Sequence, residues 1–291
     1  MENKKFLSID EQINLLISRG LNIQDKEAAK SFLYKNNYYR VSGYTLTLRK
    51  HDIFFPGVSF GNIEDIYNFD YEFRHILLKY LEIIENNIKS IYAHEFTKVY
   101  GPLGYLDKNY FSDVVNHQEI LDKANNQILK RKNHEPYLRH YIDELNQDLP
   151  LWVFVDLLSF SNISILFSIT DSSIKTTVAN SMNIKVKGDE LLSKFLHSLT
   201  IIRNLCAHGS RLYNRLFQQK PFLNKNERKL LLKRDDGCDD DHLFGFILIM
   251  KRLLNVDEFE QMKFSIKYLC DKYPFVDMRY YGFSKDWFML L

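Results

Sequence analysis

Most of the chain carries a helical alternation of apolar and polar positions. Between Asn62 and about Tyr100, Ile66, Phe69, Phe73, Ile76, Leu77, Tyr80, Leu81, Ile84, Ile88 and Ile91 recur mostly at three- and four-residue steps, the period of one helix face. The run is long for a globular helix and closes at the breaker pair Gly101-Pro102. Residues 7–34 predict two short helices. Leu7, Ile13, Leu16 and Ile17 share a stripe, and Ser8 stands three residues before Glu11 as an N-cap. From Asn36 to Tyr44 the pattern changes to aromatics, a β-branched residue and a glycine. Thr45-Leu46-Thr47-Leu48 then alternates, and Ile53-Phe54-Phe55-Pro56-Gly57 follows His51-Asp52, which predicts a small hairpin.

Beyond Gly101 the spacing predicts a charged helix from about His117 to Gln147, broken near Pro136. A helix apolar nearly all round follows over Leu151–Ile169, then one over Asp189–His208 with Leu191, Leu192, Phe195, Leu196, Leu199 and Ile202 inward, and two more from His242 to Cys270. The expected architecture is all-α, a helical bundle around a long central helix, preceded by a small α/β module with a hairpin. The module covers residues 1–60 and the helical domain 61–291, with a polar helical insertion at about 101–148. Neither an internal repeat nor a low-complexity tract interrupts it.

Composition agrees with this reading. In 291 residues, 22 Phe and 18 Tyr stand against 11 Gly and 6 Pro, a balance that favours long helices over a Gly/Pro-punctuated β-sandwich. The formal net charge is +2, so binding to nucleic acid would have to use a local patch. Cys206, Cys238 and Cys270 are odd in number and widely spaced, suggesting neither a disulfide framework nor a structural zinc site. Lys233–Asp241 reads as an exposed acidic loop, too irregular for an EF-hand. The start has no apolar signal core, and the apolar stretches fall short of the ~20 residues that span a bilayer. A cytoplasmic protein with no membrane partner is expected.

The segment Arg203-Asn204-Leu205-Cys206-Ala207-His208-Gly209 interrupts this apolar pattern. In a helix Arg203 and His208 are rotated by roughly 140°. They converge on one phosphate if His208 sits where the helix ends, and Gly209 is the residue type found just past such an end. These residue types suit RNA cleavage by the 2′-hydroxyl. Imidazole moves protons near neutral pH, and guanidinium stabilises charge on the scissile phosphate. The nucleophile already lies in the substrate, so no metal and no cofactor are required. One Arg and one His per chain point to a two-fold dimer that pairs two such segments. The ordinary alternative is a histidine capping the last carbonyls of a helix.

Three separated pieces resemble a known family. They are Asn37-Tyr38-Tyr39-Arg40-Val41-Ser42-Gly43-Tyr44, Phe69-Asp70-Tyr71-Glu72-Phe73-Arg74 continuing to Glu85, and Arg203–His208 through Asn214-Arg215. Their order and separation are similar to those of the Abi-like abortive-infection proteins of bacteria, AbiD- and AbiF-like members of the HEPN superfamily. The resemblance implies an all-helical RNase that dimerises to form a composite site, with Arg203, Asn204 and His208 in the catalytic roles. It also implies a toxin active in phage defence, an RNA substrate, and a silencing partner such as an antitoxin or a small noncoding RNA. Gly209 stands where the family often has a second histidine.

Other candidates carry two readings each. Glu85 is either a carboxylate that orients Arg203, as HEPN folds suggest, or a solvated charge. Asp70 and Arg74 read as an intrahelical pair, and His94 and His197 as structural histidines. Tyr38, Tyr39, Arg40 and Tyr44 read as the core of the small module, with Tyr39 and Arg40 also candidates to stack and hold RNA. Arg211, Asn214 and Arg215, and the basic run Lys130-Arg131-Lys132, are further RNA-binding candidates, the run being a solvated face by default. Two rivals to the enzyme reading remain. One is a non-catalytic RNA-binding or adaptor protein on the same fold, the other a chain whose Arg203 and His208 are modified or contacted by a nucleotidyl-transfer partner.

Overall fold

A computed structural model describes residues 6–233 and 241–291. The acidic run expected as an exposed loop falls mostly on 234–240, outside the described residues. The fold is mostly α-helical, with a small α/β part at the start.

Helix α1 (Ile9–Ser18) opens with the expected cap. The Ser8 hydroxyl accepts from the Glu11 amide, and the Glu11 carboxylate accepts from the Ser8 amide. Helix α2 (Lys26–Asn36), capped by Asp25, ends at Asn37, whose φ is +60°, and a short α3 (Tyr38–Ser42) restarts with the Asn37 side chain accepting from the Tyr39 amide. The hairpin is present but shorter than the alternation of Thr45–Leu48 suggested. Strands β1 (Arg49–Lys50) and β2 (Ile53–Phe54) pair antiparallel, Arg49 opposite Phe54. His51 and Asp52 form the turn, both at positive φ, the geometry that matches the twist of two-residue hairpins.

Helix α4 (Phe60–Tyr100) is the central rod, 41 residues and about 60 Å long. Ser59 caps its start, and Gly101 leaves its end at φ +77°. Phe69, Phe73, Leu77, Leu81, Ile84, Ile88 and Phe96 are wholly buried on one side. On the other, Tyr71, His75, Lys79, Glu82, Asn86, Ser90, His94 and Lys98 form an exposed stripe at the same three- and four-residue steps.

The charged segment breaks near Pro136 as expected, into α5 (Val114–Arg131) and α6 (Pro136–Arg139), the proline taking the first position of the new helix, where its missing amide hydrogen costs nothing. The helix expected over Leu151–Ile169 is also divided. Helix α7 (Leu151–Phe154) runs into a 3₁₀ turn, and α8 (Phe160–Ile169) starts afresh with Ser159 accepting from the Asn162 amide. A helix that the sequence pattern did not suggest, α9 (Ser172–Ser181), follows under an Asp171 cap. Then come α10 (Gly188–Ala207), α11 (Lys225–Arg228), α12 (Phe244–Leu253), α13 (Val256–Lys272) and α14 (Trp287–Leu290). Helices α8, α9, α10, α12 and α13 pack on α4, with α10 seated between α4 and α8. No helix among the described residues is long and apolar enough to cross a membrane.

Candidate functional site

Helix α10 places the motif. Leu192, Phe195, Leu196, Leu199, Ile202 and Cys206 are buried, and this stripe fixes the rotation at which the intervening polar residues emerge. The helix stops at His208. Gly209 adopts φ +63°, its amide donates to the Cys206 carbonyl (3.0 Å) and the Ser210 amide to the Leu205 carbonyl (2.8 Å). This double bond pattern satisfies the last carbonyls of a helix and demands a left-handed residue, hence glycine. His208 therefore stands at the helix end with its side chain exposed.

Arg203 emerges beside α4. Its Nε lies 3.4 Å from Glu85 Oε2, while Lys89 Nζ donates to Glu85 Oε1 at 2.9 Å. Glu85 is 9% exposed and Arg203 34%, so the carboxylate is a buried bracket and the guanidinium keeps an open side. The solvated reading of Glu85 does not hold. Asn204 is turned the other way: its amide nitrogen reaches Ser161 Oγ on α8 at 3.3 Å. Cys206 lies inside the motif but offers no nucleophile, because burial pushes its thiol up to about 12, far above the range in which thiolates form.

The cations expected around the motif divide into two groups. Arg40 donates to the Gly209 carbonyl, with its guanidinium 6.0 Å from the Tyr67 ring centre. Arg211 donates to the Tyr213 carbonyl (2.8 Å), Arg215 to the Arg211 carbonyl (3.3 Å), and the Asn214 amide to the Tyr280 carbonyl (3.0 Å). Arg40 thus sits at the end of α10, where a cation complements the helix C-terminus, while the other three tie down the loop that follows. Lys130, Arg131 and Lys132 are not brought there. They sit at the end of α5, which packs chiefly on α8 and residues 155–157.

The aromatic readings need correction. Tyr44 is core, but Tyr39 is 84% exposed, since the short α3 turns it outward. His197 is exposed rather than packed, because it lies opposite the buried stripe of α10, and His94 is exposed on the open stripe of α4.

Asp70 and Arg74 are paired, as expected, but they do far more than brace a helix. Both are buried, at 0% and 2% exposure. Asp70 accepts from Arg74, from the Tyr44 hydroxyl (2.7 Å), the Tyr281 hydroxyl (2.8 Å) and the backbone amides of Leu212 (3.2 Å) and Tyr213 (2.9 Å). Burial pushes the Asp70 carboxyl upward, against the charge of Arg74 and the hydroxyls that hold its ionised form. The same burial and the nearby Asp70 charge raise Tyr281 well above its ordinary value, so its hydroxyl remains a donor. One carboxylate thus joins the small module, the central helix, the loop after the motif and the C-terminal region. Its phase was the readable signal. Asp70 and Arg74 fall in step with the core residues Ile66, Phe73 and Leu77, where a solvated pair has no place.

Among the described residues, no group of three or more His, Cys, Asp and Glu side chains is placed to hold a metal ion. The family described as Abi-like protein matches residues 31–214, a span that contains Tyr44, all of α4 and the motif through Asn214. No curated protein and no solved structure matches the chain.

Proposed function

The chain belongs to the Abi-like family, and from that premise we propose that it is a metal-independent endoribonuclease toxin of bacterial abortive-infection defence, built on a HEPN-type helical domain. The observation that carries this reading is the Arg203–Glu85 pair. A buried carboxylate anchors the guanidinium at Nε while a third of the side chain remains accessible, which presents its outer N–H groups to a phosphate. His208 stands exposed one helical turn beyond Asn204.

In the reaction, His208 takes the proton of a ribose 2′-hydroxyl, whose oxygen attacks the adjacent phosphorus. The bond from phosphorus to the 5′-oxygen breaks, and that oxygen leaves with a proton. Arg203 stabilises the charge on the non-bridging oxygens. The products are a 2′,3′-cyclic phosphate and a 5′-hydroxyl. One chain offers a single motif imidazole, and Arg203 and His208 diverge by roughly 140° around α10. A second copy of the chain is the natural source of the second proton-transfer group, which makes the site composite. An antitoxin or a small noncoding RNA would keep such a toxin silent by covering the motif.

The test is inducible expression of wild type and His208→Ala, with sequencing of RNA ends. The variant is expected to fold, to lose cleavage by roughly 10²–10⁴-fold, and to lose toxicity. Wild-type cleavage is expected to persist in EDTA. Full cleavage by His208→Ala, with unchanged phenotype, would instead support the non-catalytic RNA-binding or adaptor role.

A further inference from the structure

A cleft of about 730 Å³ opens along α4 beyond Glu85, lined by Asn86, Lys89, His94 and Lys98 on that helix and by Trp152 and Asp156 from the α7 segment. Its volume lies in the range of ligand pockets. Both walls are tied to motif residues. Lys89 shares Glu85 with Arg203, and the second wall continues into α8, where Ser161 bonds Asn204. Trp152 is 52% exposed, although burial is the usual fate of an indole in a helical core. On the opposite wall the Thr97 hydroxyl is buried without a hydrogen-bond partner. Lys89 is taken up by Glu85, which leaves Lys98 as the available cation opposite Asp156, and amide and hydroxyl groups complete the lining.

An aromatic face, a cation and hydrogen-bonding groups are what an unpaired nucleotide requires. We propose that this cleft holds one unstacked nucleotide of an RNA strand, a few nucleotides along the strand from the phosphate at Arg203. Its base stacks on Trp152, its edge meets Asn86 and Asp156, and its phosphate lies against Lys98. The ribonuclease reading supplies the scissile bond, while binding in the cleft stands without it. A base inside a duplex cannot reach the indole, so the preferred substrate is single-stranded RNA.

Trp152 and the buried Trp287 are the only two tryptophans, which makes the first a reporter. His208→Ala protein, which keeps RNA whole, is titrated with a mixed-sequence single-stranded RNA 12-mer. Tryptophan emission is followed alongside the anisotropy of a labelled strand. Emission is expected to be quenched on binding, a duplex of the same sequence to leave it unchanged, and Trp152→Ala to weaken binding about tenfold. Trp152→Phe, which retains a ring, restores most of the affinity. The inference is overturned if the strand binds with emission unchanged and Trp152→Ala within twofold, or if no strand binds. Cleavage by wild type without quenching would sink the cleft and spare the ribonuclease. Quenching without cleavage would do the reverse.

Discussion

Helix α4 presents two carboxylates to two arginines, with opposite results. Asp70 and Arg74 are sealed in the interior, and every lone pair that Asp70 offers is spent on a hydroxyl, a backbone amide or the guanidinium. Glu85 is nearly as buried, but its arginine comes from another helix and a third of that side chain remains in solvent. The first arrangement is closed and joins distant parts of the chain. The second has an unfilled side. A saturated buried charge is a fastening, whereas a half-satisfied one at a surface is positioned for a ligand. The lesson is that residue type and pairing do not separate structural from functional charges; the number of vacant hydrogen-bonding directions does.

Removing the same charge at both places tests the contrast. Asp70→Asn strips the counter-charge from a buried arginine and is expected to cost about 3–5 kcal/mol, a large share of the roughly 5–15 kcal/mol that holds a domain together. Thermal or urea unfolding reads this directly, and a loss below 1 kcal/mol would erase the distinction. Glu85→Gln removes the counter-charge of buried Lys89 as well as of Arg203 and is expected to cost about 2–3 kcal/mol in stability, less than Asp70→Asn because Arg203 stays partly solvated. On the proposed function it lowers RNA cleavage by roughly 10- to 100-fold, through a displaced guanidinium. Equal effects of the two variants on unfolding would show that both pairs are structural. Gly209→Ala acts on the loop between them. The added Cβ lies 2.9 Å from Arg40 Nη2 and forces a side chain onto φ +63°, at a cost of about 1–2 kcal/mol, and calorimetry should register it.

Much of the fold was legible because its main elements have strong apolar periodicity. Helix α4 is observed over Phe60–Tyr100 where the stripe and Gly101-Pro102 indicated it, and α10 stops one residue before His208. Helix α9 was not legible, since Ser-Ser-Ile-Lys-Thr-Thr-Val lacks a clear apolar face and is rich in β-branched residues. The division of Leu151–Ile169 was hidden in a mostly apolar run where Asp156, Ser159, Ser161 and Asn162 are all cap types and Ser159 is the one that caps α8. In the candidate site, the glycine stop followed from residue types in place, while the approach of Glu85 to Arg203 was one of two readings and came from the family resemblance. The Asp70 cluster followed from neither. Tyr44, the amides of Leu212 and Tyr213, and Tyr281 reach it from far along the chain, and backbone donors leave no mark in a sequence.

That cluster also sets a timetable. A ribosome adding about 5–20 residues per second reaches Tyr281 roughly 10–40 s after Asp70. Until then the carboxylate lacks one of its hydroxyl donors, and for most of that time the motif and its loop do not yet exist. A chain released early never completes the fastening beneath Leu212 and Tyr213, the loop that follows the motif. On the proposed function, the late closing of one buried carboxylate would hold back activity until synthesis is nearly complete.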